Sequence, residues 1–409
     1  MTELRVTVVN TSEIGGTFLT PVYFGFHDGS FDLFNEGEAA SAGLEAIAED
    51  GNIPPLAAER QAADADSQGL VVVGEAGPVA TQETTSGRID VDALSNGSVS
   101  YAAMILPSND AFIGSDEAIQ LFSANGRFLG AQTITLEGDD VYDAGTEVNT
   151  EVDAAFLDQM AANTGVDENG VVTKHPGFNG SEGNPVGEGD QNIIGGTNAF
   201  GIAITEEADF TVDGAQIAQI HINTVVDRAG DDGRNFIRGF RDDDIVDAQG
   251  GNDIITTGAG WDVIDAGTGS DTVRAGRGND ILDLAGGFDI GIGGKGDDQI
   301  WGGFGEDRLL GGLGNDHLSG GGQDDRLNGG LGDDTFYFSD GYGTDRIVDF
   351  DRFGDDQIAL SIAGVEDFDD VLDAANDTGF GVRLEFGADT LILSGVDVNT
   401  LGDSDFAFV

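Results

Sequence analysis

Residues 293–298 read Gly293-Gly294-Lys295-Gly296-Asp297-Asp298, and residues 329–334 read Gly329-Gly330-Leu331-Gly332-Asp333-Asp334. Between residues 229 and 336 the whole sequence divides into twelve consecutive blocks of nine residues built on this pattern. The seventh position is Asp in eleven blocks, the ninth is Ile, Val, Leu or Phe in eleven, and the fifth is Gly in ten. A fixed period of this kind predicts a repeat architecture in which each unit stacks on its neighbours.

Each block predicts a short strand that buries one apolar side chain, followed by a tight turn. The Gly-rich part of the block suits the turn, because glycine tolerates positive φ and close backbone approach. Two blocks close one coil of 18 residues, so every second Asp stacks at the strand spacing of ~4.8 Å. The two predicted rows are Asp244, Asp262, Asp280, Asp298, Asp316 and Asp334, and Asp253, Asp271, Asp289, Asp307 and Asp325.

Stacked carboxylates repel one another unless a cation lies between them. A divalent ion with oxygen ligands fits this arrangement, because turn carbonyls can complete the six or so oxygens that Ca²⁺ prefers. The sequence therefore predicts several Ca²⁺ ions in the coil stack, with sites before about residue 255 doubtful because the first blocks lack the paired glycine. The predicted ligands are Asp262, Asp271, Asp280, Asp289, Gly294, Gly296, Asp298, Gly303, Gly305, Asp307, Gly312, Gly314, Asp316, Gly321, Asp325, Gly330, Gly332 and Asp334.

The blocks resemble the RTX calcium-binding nonapeptide repeat, whose pattern is GGxGxDxUx with U apolar. This resemblance implies a parallel β-roll that is unfolded where calcium is scarce and folds where calcium is about millimolar. The final residues, Asp405-Phe406-Ala407-Phe408-Val409, are similar to the acidic-then-apolar terminus of type I secretion substrates. That similarity implies export by the type I secretion machinery, guided by an uncleaved C-terminal signal.

The amino-acid composition of the chain limits the kinds of partner that it can bind. The chain of 409 residues has 17 Lys+Arg against 76 Asp+Glu, a formal charge of −59. This balance argues against nucleic acid and anionic membrane, which both require clustered basic residues. The absence of Cys excludes disulfides and thiolate metal sites. The sequence starts with a strand-like alternation and contains no run of ~18 apolar residues, so we expect neither a Sec-type leader nor a transmembrane segment.

Residues 1–226 contain no nonapeptides and predict a separate domain rich in strands. One helix is predicted over Glu36 to Asp50, with Gly51 as its stop signal. Short alternating strands after Phe336 are predicted to cap the open end of the roll. The predicted fold class is all-β: an antiparallel β-sandwich with one helix over 1–226, a parallel β-roll over 229–336 and a β cap with the secretion signal over 337–409.

Three stretches of the N-terminal part resemble the spondin N-terminal domain of animal matrix proteins. They are residues 35–51, residues 104–114 (Met104-Ile105-Leu106-Pro107-Ser108-Asn109-Asp110-Ala111-Phe112-Ile113-Gly114) and residues 143–147 (Asp143-Ala144-Gly145-Thr146-Glu147). The resemblance implies a sandwich related to C2 domains that holds one Ca²⁺ between loops. It places the ligands on Asp110, Asp143, Glu147 and the carbonyl of Ala144, although the family usually has Asp where this chain has Glu147.

Catalysis is not expected. The four histidines, His27, His175, His221 and His317, lie far apart, and the sequence has neither an HExxH motif nor a GxSxG motif. We therefore interpret the chain as a secreted calcium-binding extracellular protein of the adhesion or matrix type. Its spondin-like domain would contact an extracellular protein, a carbohydrate or its own copies, and its roll would fold outside the cell.

Two alternatives to this interpretation remain open at the level of sequence. One is a self-assembling surface-layer or filament subunit in which calcium bridges the acidic faces of neighbouring copies. The other is a secreted hydrolase with an unrecognised site, since 76 acidic residues always supply carboxylate pairs. Whether the roll itself takes part in adhesion is likewise open.

Overall fold

The computed structural model describes residues 1–12, 17–75, 77–106, 111–144, 171–174, 216–350 and 356–408. The chain divides into two compact units, residues 1–224 and residues 225–409. The strand Gln216–Asp231 contributes residues 216–224 to the first unit and residues 225–231 to the second.

The first unit consists of two antiparallel sheets. In one sheet the strand order is β5-β1-β12, with β9 also paired to β12; in the other it is β11-β10-β7-β6-β3-β4, with β2 and β8 on β6. The strands are β1 (Thr2–Asn10), β2 (Phe18–Leu19), β3 (Val22–His27), β4 (Gln68–Val72), β5 (Thr84–Val91), β6 (Ser98–Leu106), β7 (Ala111–Gly114), β8 (Ile119–Gln120), β9 (Gln132–Glu137), β10 (Val141–Asp143), β11 (Thr173–Lys174) and β12 (Gln216–Asp231).

Side chains alternate between two apolar layers, as the period of a strand requires. Val6 of β1, Phe24 of β3 and Ile220 of β12 belong to the core between the two sheets. Tyr23, the neighbour of Phe24, points to the other side and joins a second cluster with Leu44. The first unit is therefore a β-sandwich with a helical layer on the outer face of one sheet.

Two helices form that layer, α1 (Ala42–Asp50) and α2 (Ile53–Ala63). The first begins later than predicted because Ser41 caps it: its side chain accepts a hydrogen bond from the backbone N–H of Leu44. The helix ends at Gly51, which has φ 62°. The second helix was not predicted, although its prolines in the first turn are a helix-start signal.

The second unit contains two sheets, which are parallel except for the antiparallel strands at the C-terminal end of the second one. The first roll sheet has the order β12-β14-β16-β18-β20-β22-β24-β26-β30, and the second roll sheet has the order β13-β15-β17-β19-β21-β23-β25-β29-β28-β27. The strands are β13 (Phe236–Arg238), β14 (Asp243–Gln249), β15 (Ile254–Thr256), β16 (Val263–Asp265), β17 (Thr272–Arg277), β18 (Ile281–Asp283), β19 (Ile290–Lys295), β20 (Gln299–Phe304), β21 (Arg308–Leu313), β22 (His317–Gly322), β23 (Arg326–Leu331), β24 (Thr335–Ser339), β25 (Thr344–Ile347), β26 (Gln357–Ser361), β27 (Ala375–Asp377), β28 (Gly381–Phe386), β29 (Asp389–Ser394) and β30 (Phe406–Phe408), with one α-helix, α3 (Phe368–Ala374).

Successive nonapeptides enter the two roll sheets in turn, and residues 18 apart are paired. Ile264 pairs with Leu282 in the first roll sheet, and Ile255 pairs with Val273 in the second. The predicted coil of 18 residues and the all-β fold class are thus confirmed. The C-terminal strands continue both stacks, since β26 pairs with β24 and β29 pairs with β25.

The ninth position of each block forms the core of the roll. The one block without a large apolar residue at this position ends in Gly291, which offers no side chain to the core. Leu284, at the second position of the same block, is fully buried and fills this space: its Cδ1 lies 2.9 Å from the point where a Cβ on Gly291 would be. The exchange of a large and a small residue within one block keeps the core continuous.

Candidate metal centre

The seventh-position carboxylates are buried in two rows inside the turns of the roll. Asp262, Asp280, Asp298 and Asp316 have an exposed fraction of 0%, and Asp289 has 1%. The parallel register of 18 residues stacks these carboxylates. Burial of so many carboxylates is unfavourable unless each one finds compensating partners.

One oxygen of each carboxylate has such a partner. The backbone N–H of one row member donates to the Oδ1 atom of the next member along the chain, over N···O distances of 2.6 to 3.0 Å. For example, the Asp298 N–H donates to Asp316 Oδ1 at 2.8 Å. Each carboxylate therefore ties two coils together and has a fixed orientation.

The other oxygen has none. The Oδ2 atoms of eleven row members are buried without a hydrogen-bond partner: Asp244, Asp253, Asp262, Asp271, Asp280, Asp289, Asp298, Asp307, Asp316, Asp325 and Asp345. A buried anionic oxygen without a donor costs several kcal/mol, roughly, when no counter-ion is present. These oxygens therefore fit a bound cation, and the carboxylate chemistry fits Ca²⁺.

The electrostatics lead to the same conclusion. Burial raises the pKa of Asp262, Asp289 and Asp298 to about 7, and burial together with the charges of neighbouring row members raises the pKa of Asp316 to about 8. Burial likewise raises the pKa of Asp280 well above its ordinary value. Without metal, the rows would hold protons near neutral pH; a divalent ion between the rungs would displace these protons and keep the carboxylates charged.

The turns bring main-chain carbonyls close to the rows: the point where a Cβ on Gly302 would lie is 2.5 Å from the Gly320 carbonyl oxygen and 2.6 Å from Asp307 Oδ2. Gly294 and Gly296 have φ values of 127° and 116°, and a Cβ on either residue would collide with a carbonyl oxygen of the preceding coil, that of Gly276 or Gly278. No group of three His, Cys, Asp or Glu side chains among the described residues converges as a metal site. Each ion would thus rely on carboxylates of neighbouring coils and on turn carbonyls, which is the ligand set predicted from the sequence.

A second ladder runs beside the rows at the sixth position of the blocks. Here the direction of donation is reversed: the Asn315 N–H donates to Asp297 Oδ1 at 2.8 Å, and the Asp333 N–H donates to Asn315 Oδ1 at 3.0 Å. The sixth position therefore favours Asp and Asn for coil stacking, while the seventh position presents the continuous rows of buried oxygens without a donor.

Both rows extend beyond the nonapeptides, to Asp345 and Asp356. The Asp325 N–H donates to Asp345 Oδ1 and the Asp334 N–H donates to Asp356 Oδ1, each at 3.0 Å. Sequence reasoning missed these two residues because they follow their partners by 20 and 22 positions rather than 18. The sequence did contain a signal for them, since each is followed two residues later by Ile, and Asp-x-apolar is the ending of ten of the twelve blocks.

The first row has a different partner at its start. The Arg228 Nε donates to Asp244 Oδ1 at 2.5 Å, and the Asp244 side chain is fully buried. This guanidinium takes the place of the backbone N–H that a preceding coil would supply. Burial is the largest influence on the pKa of Asp244 and raises it, whereas Arg228 lowers it.

The spondin-type ligands are only partly described. Asp110 and Glu147 lie outside the described residues. Asp143 is buried at the end of β10 and pairs in register with Ala111 of β7, and Ala144 is fully buried. The calcium site that the resemblance places here stays a prediction.

A parallel roll of about seven coils around two rows of buried carboxylates defines a calcium-binding β-roll protein. Residues 17–161 match the family Spondin_N, and four copies of the RTX calcium-binding nonapeptide repeat match residues 229–255, 256–291, 285–318 and 310–345. The chain therefore carries a Spondin_N region followed by RTX repeats that bind calcium in the roll, as predicted. Both matches suggest an extracellular protein.

Two solved structures are among those similar to this chain. One is the extracellular lipase LipA from Serratia marcescens, at 20% identity and a TM-score of 0.22; the similarity covers 46% of this chain and 42% of the lipase chain. The other is the AlgE6R3 subunit from the Azotobacter vinelandii mannuronan C5-epimerase, at 28% identity and a TM-score of 0.26, covering 33% of this chain and 84% of that subunit. No curated protein matches this chain. Within the described residues, no helix has the length and apolar character needed to cross a bilayer.

Proposed function

We propose that this chain is a secreted extracellular protein of the adhesion or matrix type. The observation that carries the proposal is the combination, in one chain, of a Spondin_N region with a roll whose buried Oδ2 atoms require cations. Calcium reaches about millimolar concentration outside cells and is scarce in the cytosol, so the roll would fold after export.

The spondin-like β-sandwich makes the specific contact in this proposal. Support comes from its construction, because it packs two apolar layers and does not depend on the carboxylate rows for its stability. Asp143 lies at the end of a strand and pairs in register with Ala111, and the carboxylates of the spondin-type site would hold one Ca²⁺ there. The contacted molecule is an extracellular protein or carbohydrate.

We further propose that the chain is not an enzyme, and a buried Ser–His pair in the described part of the sandwich supports this. His27 Nε2 lies 3.1 Å from Ser100 Oγ, while His27 Nδ1 accepts a hydrogen bond from the Gly29 N–H. With Nδ1 serving as acceptor, the neutral ring carries its proton on Nε2 and donates it to Ser100, so His27 is not placed to take a proton from that hydroxyl. Burial also lowers the pKa of His27.

Export by type I secretion is part of the proposal and has a direct test. The last five residues would be removed, and the secreted fraction would be measured in a host that has a type I exporter. We expect the truncated chain to remain inside the cell. Because β30 pairs with β26, the truncation also uncovers a sheet edge; the control is a Phe406→Ala variant of full length, which weakens the same strand and retains the terminus.

Adhesion is tested with the purified full chain on the surface of the cells that secrete it. We expect binding in millimolar calcium, and we expect Asp143→Asn to weaken this binding while the triple variant Asp247→Ala, Asp265→Ala and Asp283→Ala, on the exposed face of the first roll sheet, leaves it unchanged. Binding that is the same for Asp143→Asn and the wild-type chain would refute a contact organised by the spondin-type calcium site. Turnover of a substrate by the purified chain would instead refute the non-enzymatic assignment.

A further inference from the structure

Three arginines form a column on the outer face of the second roll sheet, and we name Arg308, Arg326 and Arg346 the arginine column. The strand register places Arg308 beside Arg326 and Arg326 beside Arg346. All three side chains are exposed. Such a column is unexpected in a chain with 17 basic and 76 acidic residues.

The column has few partners of its own. Arg346 donates to Ser394 Oγ at 3.2 Å. Among the described residues, Arg308 and Arg326 make no ion pair and no hydrogen bond through their guanidinium groups, although Glu306 and Asp324 lie two positions before them in the sequence, just ahead of the strands that the arginines begin. Two guanidinium groups are therefore available to an external anion.

A groove lies over this column. Its volume is about 590 Å³, which falls within the range of ligand-binding clefts. The column lines the groove together with Phe288 and Ile290, both exposed, and Ile392 at the side of the cap. The acidic residues of the lining are Asp289, Asp307 and Asp325, which belong to a calcium row, and Glu306 and Asp324 at the rim.

An apolar column runs parallel to the arginines on the same face. A second cavity of about 300 Å³ is lined by Ile292, Leu310 and Val348, together with Arg308 and Arg326. The face thus offers guanidinium groups that repeat at the strand spacing of ~4.8 Å beside a line of aliphatic side chains, and Asn328, which pairs with Leu310, interrupts this line before Val348.

We propose that this groove binds an extended, carboxylate-bearing polysaccharide along the axis of the roll. A guanidinium pairs with a carboxylate through two parallel hydrogen bonds, so each arginine can hold one uronate-type sugar. The sugar-to-sugar repeat of such a polymer is comparable to the distance between coils. Because successive carboxylates point to different sides of the polymer, the carboxylates that face the roll are the ones that pair with the column. The apolar faces of the sugar rings lie on Ile292, Leu310 and Val348.

The net charge of the groove determines which kind of anion it can bind. The arginine column supplies three positive charges, and the rim residues Glu306 and Asp324 remove two of them, so the groove is only slightly positive when calcium neutralises the row. This balance suits one negative charge per sugar and opposes densely charged chains, which the rim carboxylates would repel.

A second copy of the chain is a poorer occupant. Three strands at ~4.8 Å spacing, each about six residues long, present a footprint of only a few hundred Å², whereas a stable protein interface buries about 800 Å² on each partner. Two copies would also bring together charges of −59 each. A short oligosaccharide needs no larger surface than the groove provides.

This inference deepens the proposed function, because it names a ligand class for the extracellular protein and assigns part of the contact to the roll. The two can fail independently. A chain that binds the oligosaccharide but not the cell surface refutes the adhesion proposal alone, and the reverse result refutes the present one.

The test is calorimetric titration of the calcium-loaded full chain with a tetramer of galacturonic acid, which is too short to gel with calcium. We expect saturable binding that weakens with added salt, and no binding of the same tetramer after methyl esterification of its carboxylates. The double variant Arg308→Gln and Arg326→Gln should lose at least about tenfold in affinity for each guanidinium removed.

The matched control is the double variant Arg274→Gln and Arg277→Gln, which removes two exposed arginines from the same sheet outside the groove. It should bind as tightly as the wild-type chain. Arg308→Lys with Arg326→Lys keeps the charge and loses the bidentate fork; it should bind with intermediate affinity while folding at the same calcium concentration, which guards against misfolding of the Gln variant.

Several results would overturn the proposal. These are equal binding of the methyl ester, equal loss in both Gln double variants, or no binding by the wild-type chain. Sedimentation of the same samples covers the remaining occupant: calcium-loaded wild-type chain that self-associates, with Arg308→Gln and Arg326→Gln monomeric, would assign the groove to a second copy instead.

Discussion

The sandwich and the roll treat buried polar groups in opposite ways. In the sandwich, buried Asn10 donates to the carbonyls of Thr17 and Val79 at 2.8 and 3.1 Å, and buried His27 is bonded to Ser100. A few buried polar atoms of the described part of the first unit lack partners, but none of them is a carboxylate oxygen. In the two carboxylate rows of the roll, eleven buried carboxylate oxygens lack a donor. The sandwich thus supplies its own partners, whereas the roll leaves half of each carboxylate to a cation.

Removal of calcium should separate the two units most sharply. We expect residues 229–336 to lose their β-structure in chelator because the rows would then repel one another, while the sandwich strands stay protected. Hydrogen exchange of peptides from both units, together with circular dichroism, measures this difference. An unchanged spectrum, with the roll peptides still protected in chelator, would contradict the calcium dependence of the roll.

Removal of three carboxylates from one row should have the next largest effect on the calcium-dependent folding of the roll. The triple variant Asp298→Ala, Asp316→Ala and Asp334→Ala removes consecutive members of one row, so the calcium concentration at the midpoint of folding should rise about tenfold or more. The matched control is the triple alanine variant of Asp247, Asp265 and Asp283, which removes the same charge from the exposed face of the first roll sheet.

Equal midpoints for these two triple variants would mean that calcium screens overall charge and does not lie between the rungs. A higher midpoint confined to the row variant would instead locate the ions in the row.

Acidity should partly replace calcium in the roll and not in the sandwich. Burial raises the pKa of Asp262 and Asp289 to about 7 and that of Asp316 to about 8, whereas an unfolded Asp has a pKa of about 3.9. Between these values the folded, metal-free roll binds more protons than the unfolded chain. Its stability is therefore highest below about pH 4, falls as the pH rises and is lowest above about pH 8.

Circular dichroism of metal-free protein, dialysed to a series of pH values, measures this effect. The roll signal should increase from pH 8 to pH 5, and the increase should be smaller in the row variant with three alanines. A metal-free roll that is more ordered at pH 8 than at pH 5 would show that its carboxylates are not desolvated as the geometry requires.

The sequence period predicted the roll because its determinants are local. Asp at the seventh position and an apolar residue at the ninth fix the row and the core, and the 18-residue register follows from the block length. The sequence period did not predict Asp345 and Asp356 as row members, because insertions in the loops change their spacing along the sequence without changing how the coils stack. The arginine column was not predicted for another reason. Its residues occupy a variable position of the block, and the column becomes visible only when Arg308 is seen to pair with Arg326. The sandwich has no repeat, so its helix bounds depended on caps such as Ser41.

Substitution of a turn glycine should destabilise the roll less than removal of row carboxylates. Gly294 has φ 127°, and a Cβ there would meet the Gly276 carbonyl, so Gly294→Ala should cost about 1–3 kcal/mol of unfolding free energy in saturating calcium. The control is Gly322→Ala, where the nearest atom to an added Cβ is on the Phe304 ring at 3.4 Å and φ is not positive. Urea unfolding measures both; equal losses would remove the requirement for positive φ at this turn.

The smallest effect should come from a substitution confined to the sandwich, which tests whether the stability of the sandwich is independent of calcium. Ser41→Ala removes the cap of α1, whose side chain accepts from the Leu44 N–H at 3.1 Å, and should cost about 1 kcal/mol of unfolding free energy. Because the sandwich provides its own partners for this helix, the loss should be the same in calcium and in chelator. Urea unfolding followed by hydrogen exchange at peptides of α1 measures it. A loss that grows when calcium is removed would show that the stability of this helix depends on a metal, and the division between a self-sufficient sandwich and a calcium-dependent roll would then be wrong.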